Sequence, residues 1–171
     1  MKLKSLIVVL LCIVVCSSCE QPPIEAYAVL PQPQEINYVQ GFVKLKDKPM
    51  VVYSNELSNE ALLLASYLKN DFAVEVTLEE GKDKGDVILL LDSTVLPDKK
   101  GGYVLEAAGS RITIKASTPE GVFNGVQTLR QIIKEREGRL IVQKALVTDY
   151  PAFSWRAFML DEGRYFKGKE V

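Results

Sequence analysis

The 171-residue chain contains no histidine. Imidazole is the usual acid–base group near neutral pH and the commonest metal ligand, so His-based acid–base chemistry and a His-ligated metal are excluded here, and no metal is expected. Cysteine is nearly as scarce. Cys12, Cys16 and Cys19 all lie in the first nineteen residues, so the rest has no internal disulfide and no thiolate site. Neither sign of charge dominates: 21 basic and 22 acidic residues leave −1. That balance gives no reason to expect nucleic acid or anionic lipid as a partner. Nothing in the composition asks for a cofactor.

Long apolar runs are also missing. The longest, Leu6 to Val15, is too short to cross a bilayer comfortably. Lys2 and Lys4 precede it and small residues follow, which is the layout of a secretory signal peptide over residues 1–18. Ser17 and Ser18 lead into Cys19. The pattern resembles a bacterial lipoprotein signal, in which the cysteine becomes the first mature residue and carries lipid. Cys16 stands where an aliphatic residue is usual, and plain secretion is the alternative. The lipid reading places the protein in the bacterial cell envelope, on the periplasmic side or the outer-membrane surface, attached to the membrane through Cys19. Removing the segment takes two lysines and no acids, so the body is formally −3.

Residues 19–34 hold four prolines, which favour extended structure and break helices; they read as a linker between membrane and domain. From 35 to 149 the patterns alternate between strand and helix. Short strands are expected in "GFVKLKD" and "MVVYS". Leu57, Ala61, Leu64, Ala65 and Leu68 recur at helical spacing, with Ser58 as a candidate N-cap. "AVEVTLEE" alternates as a half-buried strand, and "DVILLL" is continuously apolar, as in a central strand. "GYVLEAAGSRITIKAS" reads as a hairpin. Thr118 and Pro119 then open a second helix, with Val122, Val126, Leu129 and Ile133 as its buried stripe, and "RLIVQKALVTDYP" returns as a strand. The order suits an α+β fold: an antiparallel sheet with helices on one face.

Gly121 and Gly125 lie inside that second helix. Glycine there costs about 1 kcal/mol against alanine, so close packing on the sheet is the expected compensation. The sharper alternative, a phosphate-binding loop, lacks the P-loop lysine and the dinucleotide-fold spacing.

Three segments, "AVLPQPQEINYVQGFVKL", "GYVLEAAGSRITIKASTPEGVFNGVQTLRQII" and "DYPAFSWRAFMLDEGRYF", resemble in this order glycoside hydrolase family 20, the β-N-acetylhexosaminidases. The first two resemble the small N-terminal accessory domain (35–149) and the third the first strand of the catalytic (β/α)8 barrel (150–171). Such a barrel takes about 250 residues, so the resemblance implies the N-terminal piece of a longer enzyme.

The resemblance implies roles at the end of the third segment. Barrel chemistry sits at the C-terminal ends of strands, where Asp161, Glu162 and Arg164 fall. Arg164 matches the family arginine that clamps sugar hydroxyls, a task suited to a guanidinium fork; the alternative is a surface ion pair with Asp161 or Glu162. Gly163 and Tyr165 depart from the family pattern, which has Ser or Ala and then His. Asp161, Glu162 and Tyr165 are candidate pocket neighbours. Asp161 and Glu162 do not form a catalytic pair, because adjacent strand residues point to opposite faces. In the family the substrate's acetamido oxygen attacks the anomeric carbon, assisted by an Asp-Glu pair on a later strand. No catalytic residue is therefore expected within these 171 positions, and the chain alone should be inactive.

Two functions follow. One is a fragment of an exo-acting, retaining β-N-acetylhexosaminidase that hydrolyses terminal N-acetylglucosamine or N-acetylgalactosamine of glycans or chitooligosaccharides. The other is a non-catalytic surface lipoprotein domain for carbohydrate binding or scaffolding.

Overall fold

The hairpin expected at residues 102–117 lies at the middle of the sheet. A computed structural model describes residues 23–153, 155 and 157. Its elements are β1 (Glu35–Lys44), β2 (Met50–Tyr53), a 3-10 turn (Asn55–Leu57), α1 (Ser58–Phe72), β3 (Thr77–Glu80), β4 (Val87–Leu91), β5 (Tyr103–Ala108), β6 (Arg111–Ala116), α2 (Pro119–Ile132), β7 (Lys134–Arg136) and β8 (Arg139–Asp149). The strands form one sheet in the order β1-β8-β5-β6-β4-β2-β3, with β7 also paired to β8.

The sheet is mixed, which corrects the antiparallel expectation. Pairs among β1, β8, β5, β6 and β7 are antiparallel. Pairs β6/β4, β4/β2 and β2/β3 are parallel. The reason lies in the connections. Helix α1 joins β2 to β3, and a crossover of that kind returns the chain to its starting edge, so the two strands run the same way. Residues 81–86 then cross back over β2 to start β4 on its other side. Gly85 makes the crossing possible: a Cβ there would lie 2.9 Å from Val52 Cγ2 and 2.7 Å from the Val87 carbonyl. The apolar run of β4 is central, as expected, between β6 and β2.

Both helices pack on one face. Ala61, Leu64 and Leu68 of α1 and Val122, Val126 and Leu129 of α2 join Val51, Leu89, Leu105, Ile112 and Ile114 in a continuous core. Each fully buried leucine or isoleucine contributes about 1.5–3 kcal/mol. Thr118 caps α2, its Oγ1 accepting from Gly121 N at 3.2 Å. Ser58 does not cap α1: Leu57 holds that position after the 3-10 turn, and its buried side chain fixes the entry. At the other end Ala73 turns left-handed (φ 57°). Its N–H bonds to Lys69 O at 3.0 Å and that of Val74 to Leu68 O at 3.1 Å.

The two helix glycines meet the sheet as the packing argument requires. A Cβ on Gly121 would lie 2.3 Å from Gly102 O, and one on Gly125 2.5 Å from Ile114 Cγ2.

Part of the stretch read as a linker is docked. Val29 is buried in the core, and Tyr27 packs against it. Tyr27 O–H donates to Gln143 O, Leu30 N to Gln131 Oε1 at 3.0 Å and Gln34 N to Asp149 Oδ1 at 3.2 Å. Residues 25–34 thus form a strap running from Gln143, within β8, to the end of that strand. The signal segment, Cys19 and the barrel strand of the expected fold lie outside the described residues. No helix among the described residues is long and apolar enough to cross a membrane.

Candidate functional site

The sites expected at Arg164, Asp161, Glu162, Tyr165 and Cys19 lie outside the described residues. Within them, a groove of about 470 Å³ lies where β8 ends and the chain leaves the sheet. Helix α2 supplies one wall through Asn124, Gln127, Thr128 and Gln131. The strap supplies the other, and residues 149–153 form the floor. Asn124, Gln127 and Gln131 recur every three to four residues, which gathers their amides on one face of α2.

A buried hydrogen-bond chain braces the groove. Tyr103 on β5 is essentially inaccessible. Its phenol lies 2.5 Å from Thr128 Oγ1 and donates to Asp149 Oδ2 at 3.3 Å. Burial pushes the phenol well above its ordinary pKa, and the Asp149 carboxylate adds to the rise, so the hydroxyl keeps its proton at neutral pH. Asp149 therefore ties β5, α2 and the strap to the last residue of β8. Beside it Asn124 Nδ2 donates to Gly101 O at 2.9 Å, and Lys99 Nζ stands 4.4 Å from the Tyr150 ring centroid.

This arrangement can bind and hold; it has no nucleophile activated by a neighbouring base. Asp149 spends both oxygens on structural donors. Among the described residues no group of three or more His, Cys, Asp or Glu is placed to hold a metal ion. Sequence reasoning did not single out Tyr103, Thr128 or Asp149. The available signal was polar: Thr128 interrupts the apolar stripe of α2.

A second cluster lies at the other end of β8. Glu25, on the strap, accepts from Lys134 Nζ at 3.1 Å and from the Arg136 guanidinium. Arg136 also lies 5.2 Å above the Phe42 ring. Phe42, Lys44, Arg136, Glu137, Arg139 and Ile141 line a hollow of about 450 Å³ there.

Comparisons with known proteins place this geometry. The family model for glycosyl hydrolase family 20, domain 2, matches residues 26–150. The β-hexosaminidase of Porphyromonas gingivalis is 29% identical over 151 residues, covering 83% of this chain and 19% of its own length. The solved β-N-acetylhexosaminidase from Bacteroides fragilis superposes with a TM-score of 0.66 at 26% identity, over 82% of this chain and 28% of that one. An exo β-N-acetylglucosaminidase from Vibrio harveyi, solved with N-acetylglucosamine, gives a TM-score of 0.69 at 22% identity, over 88% and 24%. The chain thus spans between 19% and 28% of the length of each of these relatives. The family match starts at residue 26, inside the strap.

Proposed function

The chain belongs to glycosyl hydrolase family 20, and from that premise we propose that the complete protein is an exo-acting, retaining β-N-acetylhexosaminidase. Its substrates are glycans or chitooligosaccharides ending in N-acetylglucosamine or N-acetylgalactosamine. The observation that carries the reading is the match of residues 26–150 to domain 2 of the family. The relatives' names support it, since they are β-hexosaminidases and β-N-acetylhexosaminidases.

In this reading residues 150–171 open the catalytic barrel and Arg164 binds the sugar hydroxyls. The acid–base Glu and the Asp that steadies the acetamido group come from a later strand. The described domain does no chemistry; it holds the segment that follows Asp149. Cys19 carries the lipid that fixes the protein to the cell envelope, a role supported by the Ser17-Ser18-Cys19 sequence after the short apolar run.

The test is turnover of an aryl β-N-acetylglucosaminide by the complete protein and by the 171-residue chain. The complete protein should turn over and the chain should match a no-protein blank. In the complete protein Arg164→Ala should lower kcat/KM by about 2–4 kcal/mol, the range for one charge-assisted transition-state contact. A change below about threefold, under 1 kcal/mol, would make Arg164 structural.

A second reading rests on the amides and aromatic floor of the groove, which suit sugar hydroxyls: a non-catalytic carbohydrate-binding lipoprotein domain. Retention of the 171-residue chain on immobilised chitooligosaccharide, with loss on Asn124→Ala/Gln127→Ala, would favour it.

A further inference from the structure

The strap changes the geometry of membrane attachment. As a free linker, residues 19–34 would let the domain wander far from its anchor. Glu25 is instead held at the β7–β8 hairpin by Lys134 and Arg136, and its N–H donates to Gln143 Oε1 at 3.0 Å. Only six residue steps separate Cys19 from Glu25, a reach of at most about 20 Å. A lipid on Cys19 therefore brings the hairpin end of the sheet close to the bilayer. The other end of β8, where the chain leaves at Asp149, stands about 20 Å beyond Gln143, the residue that Glu25 N bonds, at about 3.3 Å per strand residue.

The surface at the hairpin end fits such a neighbour. Lys44 and Arg139 line the hollow there and take part in no ion pair among the described residues. Ile24 is exposed beside Glu25. Glu135 and Glu137 lie on the same hairpin, so the surface is mixed in charge. Its unpaired cations and exposed aliphatic side chain suit the phosphate layer of phospholipid headgroups, where long basic side chains reach the charge while their stems stay against apolar groups.

We infer that the β7–β8 hairpin end, through Lys44 and Arg139, is the membrane-contacting surface of this domain, and that the domain acts as a stand-off holding its exit groove away from the bilayer. The inference rests on the proposed anchor at Cys19, so its test has one arm that does not. A single cysteine carrying a fluorophore is placed at Glu135→Cys, near the hairpin, or at Asp98→Cys, near the exit groove. Two forms of each are bound to phosphatidylethanolamine–phosphatidylglycerol vesicles containing a headgroup spin-label quencher. One is the full chain lipidated at Cys19. The other carries hexahistidine in place of residues 1–19 and sits on nickel-chelating lipid. In both forms quenching at position 135 should exceed that at 98 several-fold. Adding Lys44→Glu/Arg139→Glu should remove most of the difference, with the circular dichroism spectrum unchanged. Equal quenching at the two positions, or an unchanged preference in the double variant, would overturn the inference. A full chain that stays soluble while the hexahistidine form shows the preference would reject the anchor and leave the contact surface standing.

Discussion

The side-chain amide of Gln143 sits inside the irregularity of β1 and donates to Gly41 O at 2.8 Å. The same nitrogen donates to Val39 O at 2.6 Å, and the amide oxygen accepts from Glu25 N. The β1–β8 register shifts between Tyr38 and Phe42, with Gln143 opposite Phe42. A shift of that kind leaves carbonyls without ladder partners, and Gln143 supplies them. Gln143→Leu keeps much of the volume and strands these partly buried groups, at a cost of up to about 1–3 kcal/mol for each one that water does not reach. Chemical denaturation should show a lower midpoint, and a variant as stable as wild type would mean that water replaces the amide.

Gly125 has no room for a methyl group against Ile114 and Tyr103. Gly125→Ala should therefore destabilise by about 1–3 kcal/mol, although alanine is the better helix former by about 1 kcal/mol. Gly121→Ala should cost more, because backbone rather than a side chain blocks it. A gain in thermal midpoint for either variant would contradict the close helix–sheet contact.

Ala73 holds a left-handed position that glycine adopts without strain. Ala73→Gly should stabilise the domain by about 1 kcal/mol, a rise of a few degrees in Tm for a domain of this size. A fall in Tm would show that the Cβ contributes packing worth more than the backbone strain.

Glu25 links pH to the strap. Arg136 first, and then Lys134, hold its carboxylate below the ordinary value of 4.5. A folded pKa below the unfolded one gives stability that is fully present above the ordinary value and is lost as pH falls through the depressed one. The strap should loosen in acid below pH 4.5, seen as faster amide exchange at Glu25 and Tyr27, whose N–H groups bond Gln143 Oε1 and Tyr38 Oη. Glu25→Gln should raise exchange at neutral pH and remove the acid step.

Local features of the sequence decided much of this molecule by themselves. Thr118 followed by Pro119 set the start of α2, because a side-chain oxygen and a residue without an N–H suit a helix N-terminus wherever it occurs. The apolar run of β4 and the β5–β6 hairpin were legible for the same reason: side-chain periodicity and turn residues act within a few positions. The first two quoted segments also carried the family, whose model matches residues 26–150. Tertiary structure alone decided which strands are neighbours. Backbone N–H and C=O groups pair with any strand that is brought alongside, so the periodicity of β2, β3 and β4 fixes which face is buried and leaves direction and partner to the connections. Only the fold set the short β7, whose three residues are all exposed and leave no apolar pattern to read. The strap was hidden because its prolines signal extended chain without saying what that chain lies against. The groove was hidden because Tyr103, Thr128 and Asp149 stand on three different elements, and only packing brings their hydroxyls and carboxylate together.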